Sequence, residues 1–293
     1  MLGDNPPIIR PPSEADALIL QPTYGCSHNR CAFCVSFRER PFAARPFEDI
    51  AAEIDLYARL SPGIRKVFLG DGDPLALSAE RLLPVLRRIR ERMPAVRRIS
   101  AYASPKNFRN KSVSDLKQLA DNGLTQVYMG FESGDDEVLR RIDKDTSHDE
   151  IVDECGRIHE AGIKISAIVI LGLGGPALSF QHAENSARLL NETRPRFASA
   201  LTLVRTQRTP SFEQVFDHPE FRELTPAEIL KECRTLIEGV TANGIIFRAN
   251  HVSNYLALEG TLQKSKPRLL QEIDVALEHV ENAPIFRPFG GIL

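Results

Sequence analysis

The sequence predicts an α/β protein: a partial (β/α)6 TIM-type barrel followed by a mainly helical C-terminal extension. Three observations lead there. Short apolar runs alternate with longer stretches of helical periodicity. Several helices end at a glycine, and most αβ connections are short. The alternation fades after six units, within a chain of 293 residues, whereas a full eight-unit barrel takes roughly 250 residues or more.

The elements follow in order. Residues 17–20 (Ala-Leu-Ile-Leu) form the first strand-like run, and 46–60 carry Ile50, Ile54 and Tyr57 on one helical face. A second strand at 66–69 leads to a helix over 78–91 and a third strand at 99–102. The stretch 112–122 spaces Val113, Leu116 and Leu119 helically and stops at Gly123, a normal C-terminal cap. After a fourth strand at 126–129, Ser147 and Glu150 form the pair of a capping box. That helix ends at Gly162, before a fifth strand at 165–171. Phe180, Ala183, Ala187 and Leu190 stripe the next helix, and 200–204 is the sixth strand. Beyond it, Thr225, Pro226 and Glu228 start a helix with cap, N1 proline and N3 acid. A β-like run at 245–247, a polar segment and a terminal helix striped by Leu269, Ile273, Ala276, Leu277 and Val280 complete the chain. The expected division is a lead-in over 1–14, a barrel over 15–210, and an extension over 211–293 that covers the substrate side. In such a barrel, chemistry belongs at the C-terminal ends of the strands.

Composition removes several function classes. Hydrophobic residues at 42% and charged residues at 26% suit a globular core and exclude global disorder. Thirty-seven Lys and Arg against 39 Asp and Glu leave a net charge of −2, which argues against nucleic acid or an anionic membrane as partner. The start, Met1-Leu2-Gly3-Asp4, has no secretory pattern, and the apolar stretch 163–173 is too short to span a bilayer. A cytoplasmic protein is expected.

Three of the five cysteines fall within 26–34, as Cys26, Cys31 and Cys34 in the spacing C-x4-C-x2-C. Clustered in a leaderless chain, they read as a metal or cluster site rather than a disulfide framework. Three thiolates wrap one corner of a [4Fe–4S] cluster and leave one iron open to an exogenous ligand. Open coordination marks catalytic metal sites. The alternative is zinc, with His28 or a distant residue as fourth ligand. Cys155 and Cys233 lie on apolar helical stripes and read as core thiols.

With this loop just past the first strand, residues 15–210 resemble the radical S-adenosylmethionine (radical SAM) superfamily, in the branch of oxygen-independent coproporphyrinogen oxidases and methylthiotransferases. Phe33 precedes the third cysteine, where the family has an aromatic that packs near the adenine. Asp71-Gly72-Asp73-Pro74, after the second strand, stands where the family's Gly-Gly-Glu-Pro motif receives the methionyl ammonium group. Glu132 and Ser133, after the fourth strand, match residues near the ribose and methionine. Leu171 and Gly172, after the fifth, match the adenine-binding turn, and Thr209-Pro210 resembles a Gly-Thr-Pro loop. The chain departs from the family in having four residues between the first two cysteines instead of three. It also has Asp-Gly-Asp-Pro at the ammonium motif and no proline in the turn after the fifth strand.

The resemblance implies two cofactors, a [4Fe–4S] cluster held by Cys26, Cys31 and Cys34 and SAM chelating the open iron. One electron then cleaves SAM to methionine and a 5′-deoxyadenosyl radical that abstracts hydrogen from a substrate. It further implies reduced flavodoxin or ferredoxin as electron donor. The substrate is unidentified, with a small molecule favoured over nucleic acid. The alternative function is an electron-transfer or structural iron–sulfur or zinc protein without SAM chemistry. Outside these motifs, His251, within the polar segment 248–255, is a candidate proton donor, and Arg205 a candidate partner for a substrate carboxylate, as is Arg208. The remaining histidines (148, 159, 182, 218 and 279) read as structural or solvated. Arg87, Arg88, Arg90, Arg92, Arg97 and Arg98 read as a solvated face, with docking of an acidic electron donor as the alternative.

Overall fold

The computed structural model describes residues 10–38, 40–205 and 221–280. A mostly parallel sheet has the order β1 (Leu18–Leu20), β4 (Lys66–Leu69), β5 (Arg98–Ala103), β6 (Leu124–Glu132), β7 (Lys164–Leu171), β8 (Phe197–Thr202), β9 (Ile246–Ala249) and β10 (Leu258–Thr261). Two short strands, β2 (Thr23–Tyr24) and β3 (Ala43–Ala44), pair antiparallel outside it. The helices are α1 (Phe47–Leu60), α2 (Ala79–Arg92), α3 (Val113–Asp121), α4 (Asp136–Arg141), α5 (His148–Glu160), α6 (Gly175–Thr193), α7 (Pro226–Gly239) and α8 (Leu262–Val280). Parallel neighbours need long crossovers, and these helices supply them.

The chain divides into two compact units. One comprises Ser36–Met129, Glu154–Ile165 and the described residues up to Asn29; the other comprises Arg30–Val35, Gly130–Asp153 and the described residues from Ser166 onward. In the first unit, β4 pairs with β1 (Leu20↔Leu69) and with β5 (Leu69↔Ala101). Leu82, Val85, Leu86 and Ile89 of α2 are buried, the apolar face its periodicity predicts. Phe68, Tyr102 and Tyr128 meet edge to face, with ring centroids 4.9 to 6.4 Å apart.

Glu14 is fully buried beneath this aromatic group. Its carboxylate accepts from Tyr128 Oη at 2.7 Å, Ser100 Oγ at 2.9 Å and Arg98 Nη2 at 2.8 Å. Removing a buried acceptor that serves three donors leaves each to be resolvated at its own cost. Glu14→Ala is therefore expected to lower stability by about 3 kcal/mol. A urea titration would read this as a fall in midpoint at unchanged slope, and an unchanged midpoint would count against the account.

In the second unit, β7 pairs with β8 (Ser166↔Phe197 through Leu171↔Thr202). The sixth expected strand is displaced. It runs Phe197–Thr202 rather than 200–204, and Val204 is exposed. Its buried face consists of the small residues Ala198, Ala200 and Thr202, so apolarity alone placed it too far along the chain. Phe180 is also corrected: it is exposed, while His182, Ala183, Ser186, Ala187 and Leu190 of α6 are buried. The buried positions recur at helical spacing, but two are polar and hold strand-end groups described below.

The alternation also runs one unit further than expected. Helix α7 starts at the complete Thr225–Glu228 capping box and leads to β9, which pairs parallel with β8. Only β10 reverses direction, pairing Leu258 with Ala249. Among the described residues no helix is long and apolar enough to cross a membrane.

Candidate active site

In the first unit, the loop that opens after β1 and the turn that follows β4 are locked together. Asp73 is buried, and its Oδ2 accepts from Ser27 N at 3.3 Å and from the Ser27 hydroxyl. Its Oδ1 is buried without a hydrogen-bond partner, as are Thr23 Oγ1 and Gln21 Nε2. Asp71 is buried too, and pairs with the Arg40 guanidinium. Burial raises the Asp71 carboxyl above the usual range, and Arg40 and the Gly25 N–H partly offset that rise. Gly72, between the two aspartates, has no room for a side chain: a Cβ would sit 2.6 Å from Gly25 O and 2.8 Å from Phe37 Cε2. Lys111, a buried lysine, donates to Leu75 O at 2.7 Å and Asn107 O at 2.8 Å, joining the turns after β4 and β5. Burial lowers its ammonium to about 8.

Cys26, Cys31 and Cys34 are half-buried, whereas Cys155 and Cys233 are buried as expected. Burial pushes the Cys155 thiol up and that of Cys233 up to about 12, which keeps both protonated and inert. The tip of the cysteine loop belongs to the second unit. There Ala32 N donates to Ile142 O at 2.9 Å, Arg30 pairs with Asp143 at 3.1 Å, and Phe33 is half-buried. Among the described residues no three His, Cys, Asp or Glu side chains converge as one metal ion requires. Three thiols on one short loop match the donor set of a cluster with one open iron. The orphaned carboxylate oxygen of Asp73, whose other oxygen is bonded directly to Ser27, suits a cationic ligand. The residues present fit the group.

In the second unit, Glu132 has φ 63° and accepts from Lys144 Nζ at 2.8 Å. Gly130 makes this possible, since a Cβ there would meet Glu132 Oε1 at 2.0 Å. Ser133 Oγ accepts from Asp135 N at 2.9 Å, so its hydroxyl proton goes to His182 Nδ1 at 2.7 Å. The other ring nitrogen then carries the proton and donates to Ile170 O at 3.1 Å, with Glu232 Oε1 at 3.6 Å. Glu232 is buried, and it accepts from Gly172 N at 2.6 Å and from the Ser179 hydroxyl. Gly172 itself has φ 89°, and the Leu171 carbonyl accepts from Leu203 N at 2.9 Å. One buried network thus holds both strand-end segments of this unit, Glu132–Ser133 and Leu171–Gly172.

Glu232 and the partners of His182 escaped the sequence reading. Glu232 stands three residues after Ile229 and four before Leu236, so it lies on the apolar face of α7; a lone acid there was the available signal. His148 is also buried, between Gly134 O at 2.8 Å and Glu192 Oε2 at 2.8 Å, and serves as a strut.

The expected substrate-side residues have chain partners. His251 Nδ1 accepts from Ser253 N at 3.2 Å and from the Ser253 hydroxyl at 2.9 Å, and burial lowers the ring below its usual value. Ser253 and Asn254 in turn hold Thr202 at the end of β8. Arg205 lies 3.9 Å from Glu223. Of the basic run, Arg88 and Arg92 pair with Asp55 and Arg98 with Glu14, while Arg87, Arg90 and Arg97 are exposed. Thr209, Pro210, Arg208 and His218 lie outside the described residues.

Among curated proteins, the tRNA-2-methylthio-N(6)-dimethylallyladenosine synthase of Anaeromyxobacter sp. (strain K) is 28% identical over 206 residues, 68% of this chain and 43% of that protein. Heme chaperone HemW of Bacillus subtilis (strain 168) is 26% identical over 132 residues, 44% of this chain and 35% of that protein. The chain therefore spans less than half the length of these curated relatives. Among solved structures, coproporphyrinogen III oxidase (HemN) from Escherichia coli matches with a TM-score of 0.57 at 16% identity, covering 76% of this chain and 52% of that one. This likeness shows a shared fold. The family model described as the Radical SAM superfamily matches residues 20–190, more than half of the chain. With the cysteine loop and strand ends inside that span, the chain belongs to the radical SAM superfamily.

Proposed function

We propose that the chain is a hydrogen-abstracting radical SAM enzyme in which Cys26, Cys31 and Cys34 hold a [4Fe–4S] cluster and SAM is the cosubstrate. The observation that carries this reading is Asp73. It is buried, anchored by Ser27 next to Cys26, and has one carboxylate oxygen without a partner. A buried acceptor left open beside the cysteine loop suits the methionyl ammonium group. The chemistry such a cluster supplies when bound is one electron for reductive cleavage of the SAM sulfonium, giving methionine and a 5′-deoxyadenosyl radical.

The chain's own part is to bind, orient and exclude water. Asp73 takes the ammonium group, while Asp71 is committed to Arg40 and Gly72 lets the loop approach. Phe33, Leu171 and Gly172 contact the adenine, and Glu132 and Ser133 the ribose and methionine. Residues 15–210 carry the proposed SAM-binding strand ends, with 211–293, which adds β9 and β10 to the sheet, shaping the substrate side and 1–14 leading in. The docking of Ser253 and Asn254 on Thr202 at a strand end supports that role for the extension. His251 and Arg205 are its candidate substrate contacts. Reduced flavodoxin or ferredoxin supplies the electron.

The substrate class favoured is a small molecule. The relatives' names describe a tRNA-modifying synthase, a heme chaperone and a porphyrinogen oxidase, so no one reaction carries over. A net charge of −2 disfavours RNA. Anaerobic reconstitution with iron and sulfide, then dithionite and SAM, is expected to yield 5′-deoxyadenosine and methionine in equal amounts. An iron–sulfur chromophore without either product would favour the electron-transfer alternative. Zinc near one equivalent without either would favour a structural site.

A further inference from the structure

We infer that Asp71 and Arg40 form a clasp that closes the cysteine loop at its neck and sets the backbone of Cys26 before any cluster arrives. The inference rests on the proposed role of the cysteines. The neck is visible in four contacts. Thr23 pairs with Ala44 and Tyr24 with Ala43. Arg45 N donates to Pro22 O at 2.9 Å, and Arg45 Nη1 to Gln21 O at 3.0 Å. A Cβ on Gly25 would fall 2.5 Å from Arg40 O and 2.8 Å from Pro41 O, so the two ends of the loop touch. Gly25 has φ 65°, which glycine adopts without strain.

The turn after β4 grips this neck from one side. Asp71, 2% exposed, takes the Arg40 guanidinium and the Gly25 N–H. Asp73 takes the Ser27 N–H and hydroxyl. Gly25 and Ser27 flank Cys26, so the two carboxylates fix its backbone from both sides. The loop also braces itself: Asn29, with φ 50°, donates through Nδ2 to Phe37 O at 2.7 Å. The Asp71–Arg40 pair joins the far end of the loop to the turn by a charge. A buried carboxylate without its cation is costly, so the pair acts as a unit. Asp71 and Arg40 are positioning residues: they act on the cluster only through where they hold Cys26.

The test uses the apo form of this chain, reduced and anaerobic, with iodoacetamide as probe and peptide mass spectrometry as readout. Asp71→Asn and Arg40→Gln are each expected to raise the alkylation rate of Cys26 about tenfold, the equilibrium factor of one charged hydrogen bond. Cys155 and Cys233 should keep their wild-type rates, which certifies the fold. The double variant should be no faster than the quicker single, and Arg40→Lys should restore most of the protection. If Asp71→Asn also exposes Cys155 and Cys233, the Arg40 variants decide, because that side chain is partly exposed on a loop. Rates for Cys26 within twofold of wild type in Arg40→Gln overturn the clasp. A second arm reconstitutes the proteins and follows iron loss to a chelator, expected about tenfold faster in Arg40→Gln. A wild type that takes up no iron defeats the cluster reading alone, and the alkylation arm still decides the clasp.

Discussion

Alanine in place of Cys31 is expected to reduce SAM cleavage by the reconstituted chain to the dithionite-only background. Three thiolates leave one of the four irons open; removing one opens a second iron to water and exchange. Loss of an outer partner of a metal ligand already costs about 10- to 100-fold in affinity or activity, and loss of the ligand itself must exceed that. The same holds for Cys26→Ala and Cys34→Ala. Cys155→Ala and Cys233→Ala supply the contrast. Both thiols are buried and protonated. Their removal leaves a small cavity costing about 1 kcal/mol and cleavage within about twofold of wild type. Product formation by chromatography, iron and sulfide content, and a thermal melt on all five variants check the pattern. Full cleavage by Cys31→Ala would falsify the cluster assignment.

That cysteine pattern was legible because it is local: three cysteines within one loop carry their own spacing. The strand-end motifs were legible for a related reason, since a barrel puts chemistry after each strand and the strands alternate visibly with helices. What failed to show is long-range. Arg40 meets Asp71 across 31 positions, and Glu232 meets Gly172 across 60. No periodicity connects such pairs; only the folded chain does. Elsewhere the pattern misled for identifiable reasons. The buried face of β8 is built from alanine and threonine, so the apolar run 200–204 drew the strand too late. Phe180 outweighed His182 and Ser186 in a hydrophobic stripe, yet the polar pair is buried because Ser133 and Gly134 N–H give it partners. The seventh parallel strand, β9, is four residues long and lies beyond a crossover, which made it read as a fragment of the extension.

Glu232→Ala is expected to weaken SAM binding about tenfold and to lower stability by about 3 kcal/mol, because the side chain serves a backbone turn and a helix at once. Its carboxylate accepts from Gly172 N at 2.6 Å and from Ser179, within a region closed to water. Gly172, at φ 89°, makes no ladder bond through that N–H, so without Glu232 a buried donor is left unsatisfied in the turn proposed to hold the adenine. Glu232→Gln keeps an acceptor for Gly172 but gives up the charge, and should lose about 1 kcal/mol of stability and little SAM affinity. His182→Ala removes the link to Ser133 and Ile170 O, and its effect should be less than additive with Glu232→Ala, as for neighbours in one network. Calorimetric SAM binding to the reconstituted proteins, read beside urea midpoints, separates positioning from mere support. A rise in KM for SAM at nearly constant kcat, repaired by Gln, places Glu232 behind the cofactor turn. Equal loss of stability in Glu232→Ala with unchanged SAM affinity would make it only a strut between α6 and α7, with the turn held by Leu203 alone.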